Sequence, residues 1–81
     1  MRINISHRAR RQYEALSPRI QQQVDKQFVH LLADLRHPSL HAKKYDERQG
    51  VWQGRVTRDW RFYFTIEGDT YEILSIIPHP K

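Results

Sequence analysis

Two arginines and one histidine in the second half of the chain have side chains that suit chemistry at a phosphate group. Arg55 and Arg61 lie in neighbouring stretches of alternating sequence, and His79 lies near the carboxyl end. A guanidinium can pair with two phosphate oxygens at once, and an imidazole can transfer a proton near neutral pH. This set suits RNA cleavage without a metal ion, in which the 2′-hydroxyl attacks the neighbouring phosphate, arginine neutralises the developing charge and His79 protonates the leaving 5′-oxygen.

These residues also have an ordinary structural explanation. The two arginines would form ion pairs if a carboxylate lay opposite them on a sheet, and the candidates are Asp59, Glu67 and Glu72. An exposed histidine close to a chain end commonly has no function. The sequence alone leaves both interpretations open.

Other kinds of site lack essential parts. The sequence contains no glycine-rich phosphate loop and no recognisable Ser-His-Asp arrangement. His37 and His41 have a spacing that metal ligands can have, but Pro38 lies between them and no third ligand is evident. There is also no cysteine that could act as a ligand. We therefore expect no metal ion and no cofactor.

The support for the arginines is a predicted β-hairpin in residues 51–67, which turns at residues 57–59. Successive side chains of a strand point to opposite faces. One face of the hairpin is apolar and is the predicted core, with Trp52, Val56, Trp60, Phe62, Phe64 and Ile66. On the other face Arg61 lies beside Tyr63, and Gln53 and Arg55 of the preceding strand can meet Arg61 across the ladder.

A strand towards each end of the chain is predicted to complete the sheet. Residues 2–5 alternate between polar and apolar, and residues 71–77 are apolar on both faces, which is typical of a central strand. Ser6 is placed to cap a helix over residues 7–16.

A second helix is predicted to start at Ser17 and Pro18, which supply a capping oxygen and a residue suited to the first helical position. Its apolar stripe consists of Ile20, Val24, Phe28, Leu31, Leu32 and Leu35. Pro38 prevents the helix from continuing. Residues 37–50 show neither the helical nor the strand spacing of apolar residues, and they are predicted to form a surface loop with at most a short helical turn.

The predicted architecture is a single α+β domain over residues 1–81. An N-terminal strand and a two-helix hairpin pack on one face of a mostly antiparallel four-stranded sheet, and the chain is too short for a second core. The net charge of +5 and a pI near 10 favour a polyanionic partner such as nucleic acid, or an acidic protein. Neither a membrane span nor a secretory signal is evident, so we expect a soluble cytoplasmic protein.

The order of these elements, together with the run WQGRVTRDWRFYFTIEGDTYEILSII, resembles the RelE/ParE toxin superfamily over nearly the whole chain. The resemblance implies a RelE-like fold and the toxin of a type II toxin–antitoxin system. It further implies an mRNA endoribonuclease that acts in the ribosomal A site and is silenced by an acidic antitoxin. A ParE-like inhibitor of DNA gyrase without nuclease activity is the main alternative, and an inert antitoxin-binding relic is a third.

The resemblance also assigns roles to residues. It implies that Arg61 contacts the scissile phosphate, that Arg55 and Gln53 occupy positions where the family places cations, and that His79 is the acid. Lys44 is similar to the lysine of the family's loop before the second strand. Further substrate contacts are expected from Lys43, Arg58, Tyr63 and Lys81. No residue matches the family's carboxylate base securely, and the nearby candidates are Asp46 and Glu47.

Overall fold

The computed structural model describes residues 1–79, which form two helices and a single five-stranded sheet. The elements in chain order are β1 (Arg2–Ile5), α1 (His7–Glu14), α2 (Pro18–Ala33), a 3-10 turn (Pro38–Leu40), β2 (Lys43–Asp46), β3 (Val51–Thr57), β4 (Trp60–Glu67) and β5 (Thr70–Pro78). The strand order is β1-β5-β4-β3-β2, with β1 parallel to β5 and all other neighbours antiparallel. The predicted α+β class and N-terminal strand are confirmed.

The sheet has one strand more than predicted, because β2 lies inside the segment that was predicted to be a loop. β2 is a four-residue edge strand that pairs with β3, and three of its residues are exposed. An edge strand this exposed needs no apolar alternation of its own, since it is held by main-chain pairing with its neighbour. The short helical turn expected in the same segment is the 3-10 turn Pro38–Leu40.

Both predicted helix starts are confirmed. The Ser6 hydroxyl accepts a hydrogen bond from the Ala9 N–H at 3.0 Å, and the Ser17 hydroxyl accepts one from the Ile20 N–H at 3.4 Å. Each bond satisfies a backbone donor that the first turn of a helix leaves without a partner. The first helix ends at Glu14, two residues before the predicted end.

The buried stripe of α2 differs from the prediction at its edge. Val24, Phe28 and Leu31 are buried as predicted, but Leu32 is 43% exposed, and Gln27 is buried in its place. Residues advance by about 100° around a helix, so position 27 lies about 20° from Ile20 at one edge of the stripe, whereas position 32 lies about 40° beyond Phe28 at the other edge. Leu35 lies beyond the end of the helix and packs against the core from there.

The core lies between the helices and one face of the sheet. Phe62 and Phe64 are fully buried, and the ring of Phe28 from α2 meets Phe62 edge to face at 5.2 Å. The Phe62 ring lies directly on Gly54 of β3, where an added Cβ would come within 2.3 Å of Phe62 Cζ. Only glycine leaves room for that ring. The prediction of a core position was wrong for Ile66, which is 38% exposed near the end of β4.

None of the helices within residues 1–79 has the length and apolar character needed to cross a membrane.

Candidate phosphate-binding cleft

A cleft of about 400 Å³ opens on the sheet face opposite the aromatic core. It is lined by residues of β2, β3 and β4, of the segment before β2 and of the segment after β5: His41, Ala42, Lys43, Gln53, Arg55, Arg61 and His79. The strand alternation accounts for this, because Arg55 and Arg61 directly adjoin Gly54 and Phe62, which contact each other on the core side. The cleft contains no carboxylate side chain among its lining residues.

Arg55 and Arg61 lie directly opposite each other in the β3–β4 ladder. Like charges at opposite positions destabilise a sheet, and burial followed by the charge of Arg55 lowers the pKa of Arg61. Neither arginine forms an ion pair within residues 1–79, where the ion pair found joins Arg2 and Asp69. The interpretation of the two arginines as partners of strand carboxylates was therefore wrong. A bound anion would relieve their repulsion.

Arg61 also supports the hairpin turn. Its Nη1 donates to the carbonyl oxygens of Thr57 at 2.6 Å, Trp60 at 3.0 Å and Arg58 at 3.1 Å. All three bonds use the same nitrogen, so the other guanidinium N–H groups have no hydrogen-bond partner within residues 1–79. The side chain is therefore held in place by the turn while it presents donors to the cleft.

His79 follows the last residue of β5 and reaches the same cleft as Arg61. Its backbone N–H donates to the carbonyl of Asp59 at 2.8 Å, which ties the end of β5 to the β3–β4 turn. Trp60 of β4 pairs with Pro78, so the histidine comes directly after the last pair of that ladder. Arg61 of β4 and His79 therefore line one cleft, as the predicted chemistry requires.

Solved structures of similar fold are bacterial toxins. One is a YoeB/ParE toxin from Agrobacterium tumefaciens, with a TM-score of 0.83 and 15% identity over 99% of this chain and 100% of that chain. Another belongs to the RelBE2 toxin–antitoxin complex of Mycobacterium tuberculosis, with a TM-score of 0.72 and 26% identity over 95% of each chain. A third, from the YoeB–YefM complex of Staphylococcus aureus, has a TM-score of 0.78 and 14% identity over 96% of this chain and 95% of that chain.

No family model and no curated protein matched the sequence. The similarity to solved structures therefore identifies the fold. The chain has the fold of the RelE/ParE toxin superfamily. The resemblance drawn from the run of residues 52–77 is therefore confirmed, and the fold explains why one sheet face carries the helices while the other stays open.

In this RelE/ParE fold the two loop lysines are sorted to different faces. Lys43 pairs with Gln53 and lines the cleft, whereas Lys44 pairs with Trp52. The Lys44 ammonium lies 5.0 Å from the centroid of the Trp52 ring, which is a cation–π contact. The lysine assigned from the family's loop is therefore outside the cleft, and its neighbour is inside.

Two other expected substrate contacts are also misplaced. Tyr63 is on the open face as predicted, but it is only 8% exposed, because the ring of Tyr45 packs edge to face against it at 4.8 Å. Its hydroxyl accepts a hydrogen bond from Gln53 at 2.9 Å, so the pair braces the floor of the cleft rather than offering a stacking surface. Arg58 lines a separate cavity beside the start of α2. Lys81 lies outside the described residues.

The carboxylates suggested as a base do not line the cleft. Asp46 accepts a hydrogen bond from the backbone N–H of Gln49 at 3.2 Å in the turn after β2, and Glu47 is exposed in that turn. The residue that sequence reasoning missed is His41, whose Nε2 lies 3.5 Å from Arg55 Nη1. The sequence pattern indicates it only as a metal ligand, through its spacing from His37. Within residues 1–79 no group of three ligand-type side chains is placed to hold a metal ion.

A buried glutamine connects the cleft to the helix layer. Gln27 Nε2 donates to the carbonyls of Ser39 at 2.9 Å and Arg55 at 2.8 Å, and its Oε1 accepts from the Ser39 hydroxyl at 3.1 Å. His37 extends the connection, since its ring stacks on His30 of α2 with 3.8 Å between centroids. These contacts fix the 3-10 turn, and through it the start of the segment that carries His41.

Proposed function

We propose that this protein is the toxin of a type II toxin–antitoxin system and that it inhibits translation by cleaving mRNA on the ribosome without a metal ion. The observation that carries the proposal is the convergence of Arg55, Arg61 and His79 in one cleft whose lining contains no carboxylate. Such a cleft attracts a phosphodiester, because its lining has cationic side chains and no carboxylate that would repel the phosphate. A protein that acts only by binding has no need of an imidazole beside two guanidinium groups.

The proposed reaction uses each of these groups at a different place. The two guanidinium groups bind the non-bridging oxygens of the scissile phosphate and stabilise the extra charge of the pentavalent transition state. His79 donates a proton to the departing 5′-oxygen. Lys43 contacts the adjoining backbone of the RNA, and Gln53, which is buried against Tyr63, supports the cleft from below. Activity on free RNA should be low, because the ribosome would complete the geometry of the substrate.

An acidic antitoxin is the expected protein partner. Toxins of similar fold have been crystallised with antitoxins, namely in the RelBE complex of Escherichia coli and the YoeB–YefM complex of Staphylococcus aureus. The net charge of +5 on the present chain supports a partner of opposite charge. A small acidic open reading frame next to the gene would agree with this proposal.

Inhibition of DNA gyrase is the second candidate, since one similar structure is named a YoeB/ParE toxin and a shared fold does not fix the activity. The test is to incubate the purified protein with mRNA-programmed ribosomes and map the cuts by primer extension, with gyrase supercoiling measured in parallel. We expect cuts within codons in the A site and unchanged supercoiling. Inhibited supercoiling with intact mRNA would replace the nuclease by the gyrase inhibitor.

A matched pair of variants ties the activity to the cleft. Arg55→Gln removes a cleft guanidinium and should lower the cleavage rate by roughly 10²–10³-fold, the usual effect of losing one charge-stabilising donor. Arg58→Gln removes the same charge from the neighbouring turn and should retain cleavage. Equal losses in the two variants would mean that net charge matters rather than the cleft.

A further inference from the structure

We propose that His41 is the general base of the cleavage reaction, an inference that rests on the proposed nuclease function. The cleft then holds two imidazoles, with His41 at the end of the 3-10 turn and His79 after β5. The two guanidinium groups of Arg55 and Arg61 line the same space. His41 takes the place that a carboxylate would otherwise fill, and the nearby carboxylates of Asp46 and Glu47 are absent from the lining.

The ring nitrogen of His41 that lies nearest to Arg55 is Nε2, and this is the nitrogen assigned to the reaction. A guanidinium has only donors, so Arg55 Nη1, which lies 3.5 Å from His41 Nε2, can only donate towards a lone pair on that nitrogen. That lone pair belongs to the neutral tautomer with its proton on Nδ1. In the proposed reaction the phosphate draws the Arg55 guanidinium onto its own oxygens, which frees the Nε2 lone pair for the proton of the 2′-hydroxyl.

The backbone of His41 is held in an uncommon conformation. Its φ of 46° is the one positive value among the non-glycine residues of the described chain. Residues other than glycine adopt this region at a cost, which is smaller for asparagine, aspartate and histidine than for most others, and such residues concentrate at functional sites where the surroundings hold them. Here the His41 N–H donates to the carbonyl of Pro38 at 3.3 Å, and Gln27 holds Ser39 within the same turn.

His41 also stands at the boundary between two cavities. A second cavity of about 330 Å³ shares His41 and Ala42 with the cleft and has apolar walls from Leu35, Pro38 and Trp52. A nucleoside placed in this second cavity would have its sugar at the shared boundary and its 3′-phosphate in the cationic cleft. Its 2′-hydroxyl would then face His41, as the attack requires.

The steps balance as an internal transesterification. The 2′-hydroxyl transfers its proton to Nε2 of His41 while the 2′-oxygen forms a bond to phosphorus. The bond between phosphorus and the 5′-oxygen breaks, and that oxygen keeps the electron pair and takes a proton from His79 on the opposite side. The products are a 2′,3′-cyclic phosphate and a free 5′-hydroxyl, and no oxidant, reductant or metal is consumed.

The test replaces His41 by asparagine, because asparagine tolerates a positive φ better than most residues and the fold should survive. Single-turnover cleavage on programmed ribosomes is compared among the wild type, His41→Asn and the exposed control His7→Asn. We expect a loss of about 10²–10⁴-fold for His41→Asn, the usual contribution of a general base, and none for His7→Asn. Thermal unfolding of both variants confirms that they are folded.

Two readouts separate a base from a structural residue. The cleavage rate of the wild type should fall at acidic pH, and this acidic limb should vanish in His41→Asn. Added imidazole should partly restore cleavage to His41→Gly, whose glycine accepts the same φ. His41→Asn and His41→Gly both keep the other charged and titratable groups around position 41, so the contributions of those groups to the pH profile remain. These groups are Arg36, His37, Lys43, Arg55, Arg61 and His79.

The outcomes distinguish this inference from the function on which it rests. Cleavage by His41→Asn at the wild-type rate would overturn the role of His41 and leave the nuclease proposal standing. A slow variant with an unchanged acidic limb and no response to imidazole would also overturn it, because His41 would then only shape the cleft. Absence of cleavage by the wild type would remove the proposed function itself.

Discussion

The two faces of the sheet differ in what they contribute, although the same two strands form both. On the helix-covered face Phe62 lies on Gly54 with no exposed surface. On the open face Arg55 and Arg61 lie opposite each other, and their mutual repulsion opposes folding. The covered face therefore stabilises the fold, whereas the open face lowers its stability because it places two cations side by side. Neighbouring residues in β3 and β4 should consequently have separable effects on stability and on activity.

The largest effect is expected on the covered face. Phe62→Ala should lower the free energy of unfolding by about 3–5 kcal/mol, the usual cost of removing a buried phenylalanine. Native proteins have a stability of only about 5–15 kcal/mol, so this loss is a large part of the total. Denaturant titration followed by tryptophan fluorescence gives the value. Phe62→Leu is the milder comparison, and equal stability of Phe62→Ala and the wild type would contradict the central position of this ring.

Gln27 connects the two faces, so its loss should affect both. Gln27→Leu leaves the carbonyls of Ser39 and Arg55 without their donor and should cost about 2–3 kcal/mol, because buried unsatisfied polar groups are expensive. Cleavage should also fall at a temperature where the variant is still folded, since the turn before His41 loses its anchor. Gln22→Leu on the exposed side of α2 is the control and should change stability by less than about 0.5 kcal/mol. Similar free energies of unfolding for the two variants would mean that the hydrogen bonds of Gln27 do not stabilise the fold.

Arg61 is the exception on the open face. Arg61→Gln should lower both cleavage and stability, because its Nη1 bonds to the three turn carbonyls are lost. We expect about 1–2 kcal/mol, since hydrogen bonds to charged groups contribute up to about 3 kcal/mol and this group is partly exposed. Arg55→Gln should lower cleavage without lowering stability, because it removes the repulsion between Arg55 and Arg61. Unchanged stability of Arg61→Gln would show that the turn does not depend on the guanidinium.

Much of the covered face could be predicted from the sequence, because its physical signals are local. The alternation around Phe62 and Phe64 defines the hairpin and its two faces, and Ser6 and Ser17 mark the helix starts. The convergence of Arg61 with His79 follows from the same parity and from the position of the histidine at the end of the last strand. These inferences need only the geometry of strands and helices.

The misplacement of Tyr63 and Lys44 has a single origin, which is the missed edge strand β2. Without β2 there is no Tyr45 to cover Tyr63, and no pairing to turn Lys43 and Lys44 to opposite faces. His41 was missed for a related reason. Its φ and its approach to Arg55 depend on a turn that Gln27 of α2 holds by hydrogen bonds. The spacing of apolar residues in the sequence does not indicate such a contact.

The smallest predicted effect concerns the histidine stack behind the cleft. Partial burial, followed by the charges of His37 and Lys26, lowers the pKa of His30 below its ordinary value of 6.5. The unfolded chain therefore binds this proton more readily than the folded one, so the free energy of unfolding should rise as pH increases through the window that ends near 6.5. Denaturant titrations between pH 5 and pH 8 would detect the rise, and His30→Gln should flatten it.

The control for this prediction is His7→Gln, which removes an exposed histidine from the start of α1 and should keep the wild-type rise. If His30→Gln kept the full rise as well, the stack of His30 on His37 would not be its source. If the rise were flattened, the stack would couple the helix-covered side of the molecule to the turn before His41. Acidic conditions would then loosen the support of the cleft before they unfold the core, because the stack lies at the end of α2 and outside the aromatic cluster around Phe62.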